Sequence, residues 1–145
     1  MARVTTYLSF PRETEQAFLF YKSAFKTEFA APIVRFNEAP THPGQPPLSE
    51  ADKNLILHVA LPILGGHVLM GSDAPEGMCP QVIFGTNVSI NLEPDTRAET
   101  DRLFAALAEG GKVGMPLQDM FWGAYFGHIV DRFGVQWMFN CMSKS

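Results

Sequence analysis

The spacing of apolar residues along this chain changes several times, and each change marks an element. Residues 4–10 mix β-branched and aromatic side chains and stop at Pro11, which predicts a short strand. Over 13–25 the period lengthens. Ala17, Phe18, Tyr21, Ala24 and Phe25 fall three or four apart, on one face of a helix, with Glu13 and Glu15 in the first turn, where the helix dipole favours anions. A second strand is expected near 29–36. Residues 37–53 carry Pro40, Pro43, Pro46, Pro47 and Gly44 with little to bury. A loop longer than ~12–15 residues is commonly a lid or a disordered excursion. Residues 54–61 and 67–72 read as strands joined through Gly65-Gly66, a favourable hairpin pair. After a Pro- and Gly-containing connector, 82–92 reads as another strand, with Val88, Ile90 and Leu92 alternating. Residues 96–109 read as a second helix. Thr96 and Glu99 match a capping box, Leu103, Ala106 and Leu107 form the apolar stripe, and Gly110-Gly111 is the stop.

The stretch 115–139 holds both tryptophans. Residues 121–130 are aromatic and β-branched, while Val135, Trp137 and Phe139 alternate with Gln136, Met138 and Asn140. Two such runs around Asp131 to Gly134 predict a hairpin. Gly123 and Gly127 lie inside the first run, where a glycine marks a bulge or a close approach. Alternation puts Tyr125 and Ile129 on one face with those glycines. Trp122, Phe126, His128 and Val130 take the other. Large aromatics dominate cores, yet Trp122 and Tyr125 cannot both pack against one helix. One of them is expected to face the concave side of the sheet, where it either lines a pocket or packs as core.

The element order repeats: strand, helix and three strands over about 4–72, and the same series over about 82–140. This predicts an α+β fold of two βαβββ modules within a single domain spanning 1–145. The modules form a curved mixed antiparallel sheet with helices on the convex side, leaving the other side free to wrap around something.

Composition narrows the picture. The chain has 145 residues, enough for one domain with a real core. Net charge is −4 and no Lys/Arg cluster stands out, which excludes a nucleic-acid footprint. Cys79 and Cys141 make no disulfide framework, and the first ten residues lack a signal-peptide pattern. The apolar run at 56–64 is interrupted by His58 and Pro62 and is too short to span a bilayer. A cytoplasmic protein with no membrane partner is expected. His42, His58, His67 and His128 show no metal-binding spacing; unclustered histidines are more often structural or surface residues, and His42 is expected to be solvated. Asp73, Glu76 and Asp119 would serve as acid and base only if one were desolvated. No strand is followed by a G-x-G-x-x-G turn opening a helix, so no dinucleotide loop is visible.

Several strings carry a resemblance. They are residues 17–25 (AFLFYKSAF), 65–73 (GGHVLMGSD), 108–113 (AEGGKV) and, most specifically, 121–127 (FWGAYFG) with Asp131 and 133–137 (FGVQW). With the element order they resemble the PhnB-like branch of the vicinal-oxygen-chelate superfamily, which includes glyoxalase I, bleomycin-resistance proteins and extradiol dioxygenases. The resemblance implies that fold, a homodimer and a cavity on the concave side. Metal-dependent members take a His, Gln or Glu ligand from each of four strands. Here the corresponding positions fall at about Thr6, Met70, Val88 or Ser89, and Met138, none of them a good ligand for a divalent ion. The expected function is therefore binding of a small, partly apolar or aromatic molecule with no metal and no cofactor. If Met138 marks a ligand position, Gln136 and Asn140 share its face. The ligand-binding candidates are Trp122, Tyr125, Gln136, Met138, Met70 and His58, with no catalytic residue assigned. The alternative is a metal-dependent lyase, isomerase or dioxygenase using displaced ligands such as His58, His67 and His128.

Overall fold

A computed structural model describes residues 1–40, 43, 44 and 46–145, so His42 lies outside the described residues. The chain divides into two compact units, Met1–Val82 and Ile83–Ser145.

The first unit contains β1 (Thr6–Phe10), α1 (Thr14–Phe25), β2 (Val34–Arg35), β3 (Ile56–Pro62) and β4 (Val68–Asp73). Its sheet runs in the order β1-β4-β3-β2, with β1 parallel to β4 and the other pairs antiparallel. α1 packs on β3 and β4 through the five apolar residues its periodicity singles out, all of them buried. Gly71 makes this packing possible, because a Cβ there would stand 2.6 Å from the Phe18 ring. α1 has no side-chain cap of its own. The buried carboxylate of Asp73 replaces it, accepting from the backbone N–H of Thr14 at 2.9 Å and of Ile56 at 2.8 Å. One side chain at the end of β4 thus fixes the start of the helix against the start of β3.

β2 is only two residues long, not the span 29–36. Pro32 cannot donate to a ladder, and Phe36–Glu38 wind into a short 3-10 turn. The Pro-rich segment is anchored at its far end, where Arg12 reaches Asp52 at 2.7 Å and the carbonyl of Ala51 at 2.8 Å. Gly65 and Gly66, both at positive φ, close the β3–β4 connection under the hydrogen bond from Ile63 N to the His67 carbonyl.

The second unit repeats the plan with β5 (Ile90–Leu92), α2 (Arg97–Ala108), β6 (Lys112–Asp119), β7 (Tyr125–Val130) and β8 (Gln136–Cys141). The sheet order is β5-β8-β7-β6, again with one parallel pair, β5 with β8. Each unit is therefore a βαβββ module whose helix packs on its own mixed sheet, the α+β architecture that the repeated order predicts. Thr96 Oγ1 caps α2 by accepting from Glu99 N at 3.1 Å, and the Glu99 carboxylate pairs with Arg102.

Two strands start later than their pattern suggests. β5 keeps only the last three residues of 82–92. β7 begins at Tyr125, not at Phe121, because Gly123 takes a φ of 96° and a turn closes over 120–124. Met120 N donates to the Ala124 carbonyl and Gly123 N to that of Met120. The β7–β8 hairpin falls where expected. Asp131 builds it by accepting from Phe133 N, Val135 N and Trp137 Nε1.

Candidate functional site

Residues paired across neighbouring strands share a face of a pleated sheet. In the second unit Trp137, Phe139 and Cys141 on β8 are fully buried toward α2, and the Phe104 ring of α2 meets Phe139 at 5.2 Å. The alternating residues of β8 point the other way. Met138 pairs with His128 on β7 and with Asn91 on β5, and Asn140 pairs with Phe126. β6 adds Met115, opposite His128. This face, turned away from α2, is where an aromatic side chain leaves the core. Trp122, 45% exposed, stands edge-on to Phe126 at 5.8 Å, and Phe121 stands edge-on to Trp122 at 5.1 Å.

Trp122 and Tyr125 do separate, but through the turn and not through strand alternation, because Trp122 precedes the start of β7. Tyr125 sits on the α2 side. Its hydroxyl donates to Asp101 of α2 at 2.6 Å, and the Arg97 guanidinium lies 4.6 Å from its ring centre. The hydrogen bond to Asp101, then burial, raises the Tyr125 pKa and keeps the phenol neutral. Arg97 also pairs with Asp119, whose pKa the Arg97 hydrogen bond lowers. Tyr125 therefore belongs to a polar clasp between α2 and the strands, away from the other candidates. Gln136 lies on the face turned away from α2 but is buried, and its amide nitrogen donates to the carbonyls of Gly85 at 3.3 Å and Val88 at 3.0 Å. It holds the segment leading into β5.

In the first unit, Met70 pairs with Tyr7 on β1 and Ala60 on β3, on the face turned away from α1. His58 shares that face, its ring 6.3 Å from that of Tyr7. Thr5 Oγ1 reaches the Met70 sulfur at 3.9 Å. Thr6 pairs with Leu69 on the α1 side and is hydrogen-bonded to His67 Nε2 at 2.8 Å. The ligand position that the resemblance puts at about Thr6 therefore faces the helix, one residue out of phase with the far face. Among the described residues, no group of three or more His, Cys, Asp and Glu side chains is placed to hold a metal ion.

The structure thus puts Met70 and His58 on one face of the first sheet, and Trp122, Gln136 and Met138 on one face of the second. Phe126 is absent from the sequence-derived candidates, and His128 enters them only as a displaced metal ligand, although the signal for both on this face existed. Counting outward from the Asp131–Gly134 turn pairs Val130 with Gln136 and hence His128 with Met138.

Comparison with known proteins agrees with this architecture. The family model described as 3-demethylubiquinone-9 3-methyltransferase matches residues 2–139. The crystal structure of protein PA1353 from Pseudomonas aeruginosa is 36% identical, with a TM-score of 0.83 over 97% of this chain and 98% of that one. A putative 3-demethylubiquinone-9 3-methyltransferase, PhnB protein, from Bacillus cereus is 27% identical, with a TM-score of 0.73 over 97% and 99% of the two chains. Protein YjdN of Escherichia coli K12 is 28% identical over 146 residues, 97% of this chain and 96% of its own. A glyoxylase/bleomycin resistance protein/dioxygenase domain from Frankia, 11% identical with a TM-score of 0.63 over 100% and 95% of the two chains, shares the fold alone. No helix among the described residues is long and apolar enough to cross a membrane. The chain belongs to the PhnB-like family described as 3-demethylubiquinone-9 3-methyltransferase, built on the glyoxalase/bleomycin-resistance fold.

Proposed function

We propose that this chain binds a small, neutral, partly apolar or aromatic molecule against the face of the second sheet turned away from α2, without a catalytic metal. The observation that carries this reading is Trp122. Its half-exposed indole leaves the α2 core and stands over Phe126, on the face that Met138 and His128 also occupy. Ligand sites are mostly apolar with a few polar groups, and a thioether beside aromatic rings suits the faces of a planar molecule. Met70 and His58, with Tyr7, form a comparable surface on the first sheet. The family description names methyl transfer to a demethylated ubiquinone, whose planar ring falls within this ligand class. Transfer itself would need a methyl donor beside the acceptor oxygen.

The protein works as a homodimer in the cytoplasm in this reading. Exposed apolar side chains such as Phe121 and Val113 supply surface to cover, two-fold pairs are the commonest assemblies, and the free thiols Cys79 and Cys141 suit a reducing compartment. A thermal-shift screen of the wild type with planar neutral compounds tests the binding, followed by titration of a hit into Trp122→Ala. Binding should weaken more than folding does. A hit that binds Trp122→Ala like wild type sinks the reading, and stoichiometric metal surviving dialysis would favour the metal-dependent alternative. Sedimentation showing only single chains at micromolar concentration would remove the dimer.

A further inference from the structure

His128 stands at the centre of the proposed binding face, yet among the described residues its imidazole has no hydrogen bond. Its neighbours explain why. It is paired across the sheet with Met115 on β6 and Met138 on β8, and thioether sulfur is at best a weak acceptor and never a donor. The ring is half-buried and its nitrogens are not closed off from solvent, so a bound molecule can still pair with them. The backbone has made room for the ring in this position. At Gly114, next to a break in the β6 register, an added Cβ would lie 2.5 Å from Nδ1 and 3.3 Å from Cε1 of His128. Nδ1 therefore lies against the β6 backbone, and Nε2 is the nitrogen turned away from Gly114. Phe126, two residues earlier on the same strand and face, stands about 7 Å along β7, roughly the length of a fused two-ring system.

We infer that His128 is the specificity-determining residue of this face, selecting planar molecules that carry a hydroxyl on the ring edge: phenols and fused-ring phenols. The inference rests on the binding reading above. The ring of the ligand lies along Phe126 beneath Trp122, between the two thioethers, and its hydroxyl reaches the imidazole. A hydroxyl fits better than an ether oxygen because it both donates and accepts, and so satisfies the imidazole whichever nitrogen carries the proton.

The test uses naphthalene, 2-methoxynaphthalene and 2-naphthol as matched probes, titrated by calorimetry into wild type, His128→Leu, His128→Gln and Gly114→Ala. The wild type should bind 2-naphthol roughly five- to tenfold more tightly than naphthalene, on the order of one hydrogen bond, with the methyl ether in between. His128→Leu should erase the preference while keeping naphthalene affinity, and His128→Gln should restore part of it. Gly114→Ala removes no polar group. Its methyl displaces the end of a flexible side chain at an exposed strand residue, so the fold should survive while the preference falls toward that of His128→Leu. This variant decides the matter should His128→Leu fail to fold. A hydroxyl preference that persists in both variants, or naphthalene and 2-naphthol binding equally to wild type, overturns the inference and leaves the binding reading standing. No binding of any probe to wild type overturns both.

Discussion

The two modules follow one plan, and their differences lie on opposite sides of their sheets. On the helix side the parts are kept and redistributed. In the first unit a glycine on β4, Gly71, pairs with Val59 on β3 and receives the Phe18 ring. In the second, the glycine is on β7: Gly127 pairs with Phe139 on β8 and receives Phe104. A large residue and a glycine have exchanged strands, and a helix phenylalanine fills the gap both times. A buried aspartate organises each unit too. Asp73 ties α1 to β3, whereas Asp131 ties the β7–β8 turn to the Trp137 indole. On the far side the central methionine stays while its neighbours change. Met70 lies between Tyr7 and Ala60, and Met138 between Asn91 and His128. Packing constrains the helix side to a few equivalent solutions, while the far side is free to acquire different chemistry.

The largest effect that separates the two sides is at the tryptophans. Trp137 is fully buried and hydrogen-bonded to Asp131, so Trp137→Ala should lose ~3–5 kcal/mol in denaturant unfolding. Trp122→Ala, on the far face, should cost well under half of that. Equal losses would mean that Trp122 is core and that the contrast between faces is false. The aspartates come next. Asp131→Ala strands three N–H donors and Asp73→Ala strands two, each change costing roughly 1–3 kcal/mol, with Asp131 the larger. Amide exchange should then open the β7–β8 turn in the first variant and the start of α1 in the second. Exchange spread evenly over both units in either variant would show that the carboxylates do not act locally.

The glycines give a finer comparison. At Gly71 an added methyl meets the fully buried Phe18 ring, and Gly71→Ala should cost ~1–3 kcal/mol by overpacking. At Gly127 it meets Leu117 and Phe104 at 2.9 Å, both half-exposed and able to yield, so Gly127→Ala should cost less. The reverse order, measured by the same unfolding titration, would break the proposed equivalence of the two gaps.

These contrasts also show what the chain reveals before folding. Both helices, the repeat and the two hairpins were legible because periodicity and turn residues are local signals: Ala17 to Phe25 at helical spacing, Gly65-Gly66, and Asp131 to Gly134. The faces of β7 and β8 followed from alternation once that turn was placed. The short strands were not legible, since Val88 and Phe121 have strand-like side chains but adjoin backbone that turns away, as Gly123 does with its positive φ. The roles of Tyr125 and Gln136 were hidden for a different reason. Asp101 and the carbonyls of Gly85 and Val88 are distant in sequence, and only the folded chain brings them near. Asp73, in the sequence only a conditional acid–base candidate, became a helix cap by the same route.

The smallest effect concerns a pair of ion clasps that are charge-reversed copies of one another. In the first unit α1 supplies the carboxylate, Glu15, and β2 the guanidinium, Arg35, 2.7 Å away. In the second, α2 supplies the guanidinium, Arg97, and β6 the carboxylate, Asp119. The hydrogen bond from arginine lowers the pKa of each carboxylate. Because the folded value is the lower one, the unfolded chain binds more protons across the interval between the two values, and stability rises with pH through it. Each clasp therefore contributes fully above the ordinary carboxylate values, about 4.3 for Glu and 3.9 for Asp. Its contribution fades as the pH falls from there through the lower folded value. Both pairs are solvent-exposed enough that salt should weaken them further. Glu15→Gln and Asp119→Asn should each remove part of the acid limb of stability at low ionic strength, and the double variant should remove the sum, because the clasps lie in separate units and share no partner. Unfolding titrations of the four proteins at successive acidic pH values measure this. A double variant with an acid limb as steep as that of wild type would show that neither clasp is linked to folding, leaving the helix-side cores as the whole of the likeness between the modules.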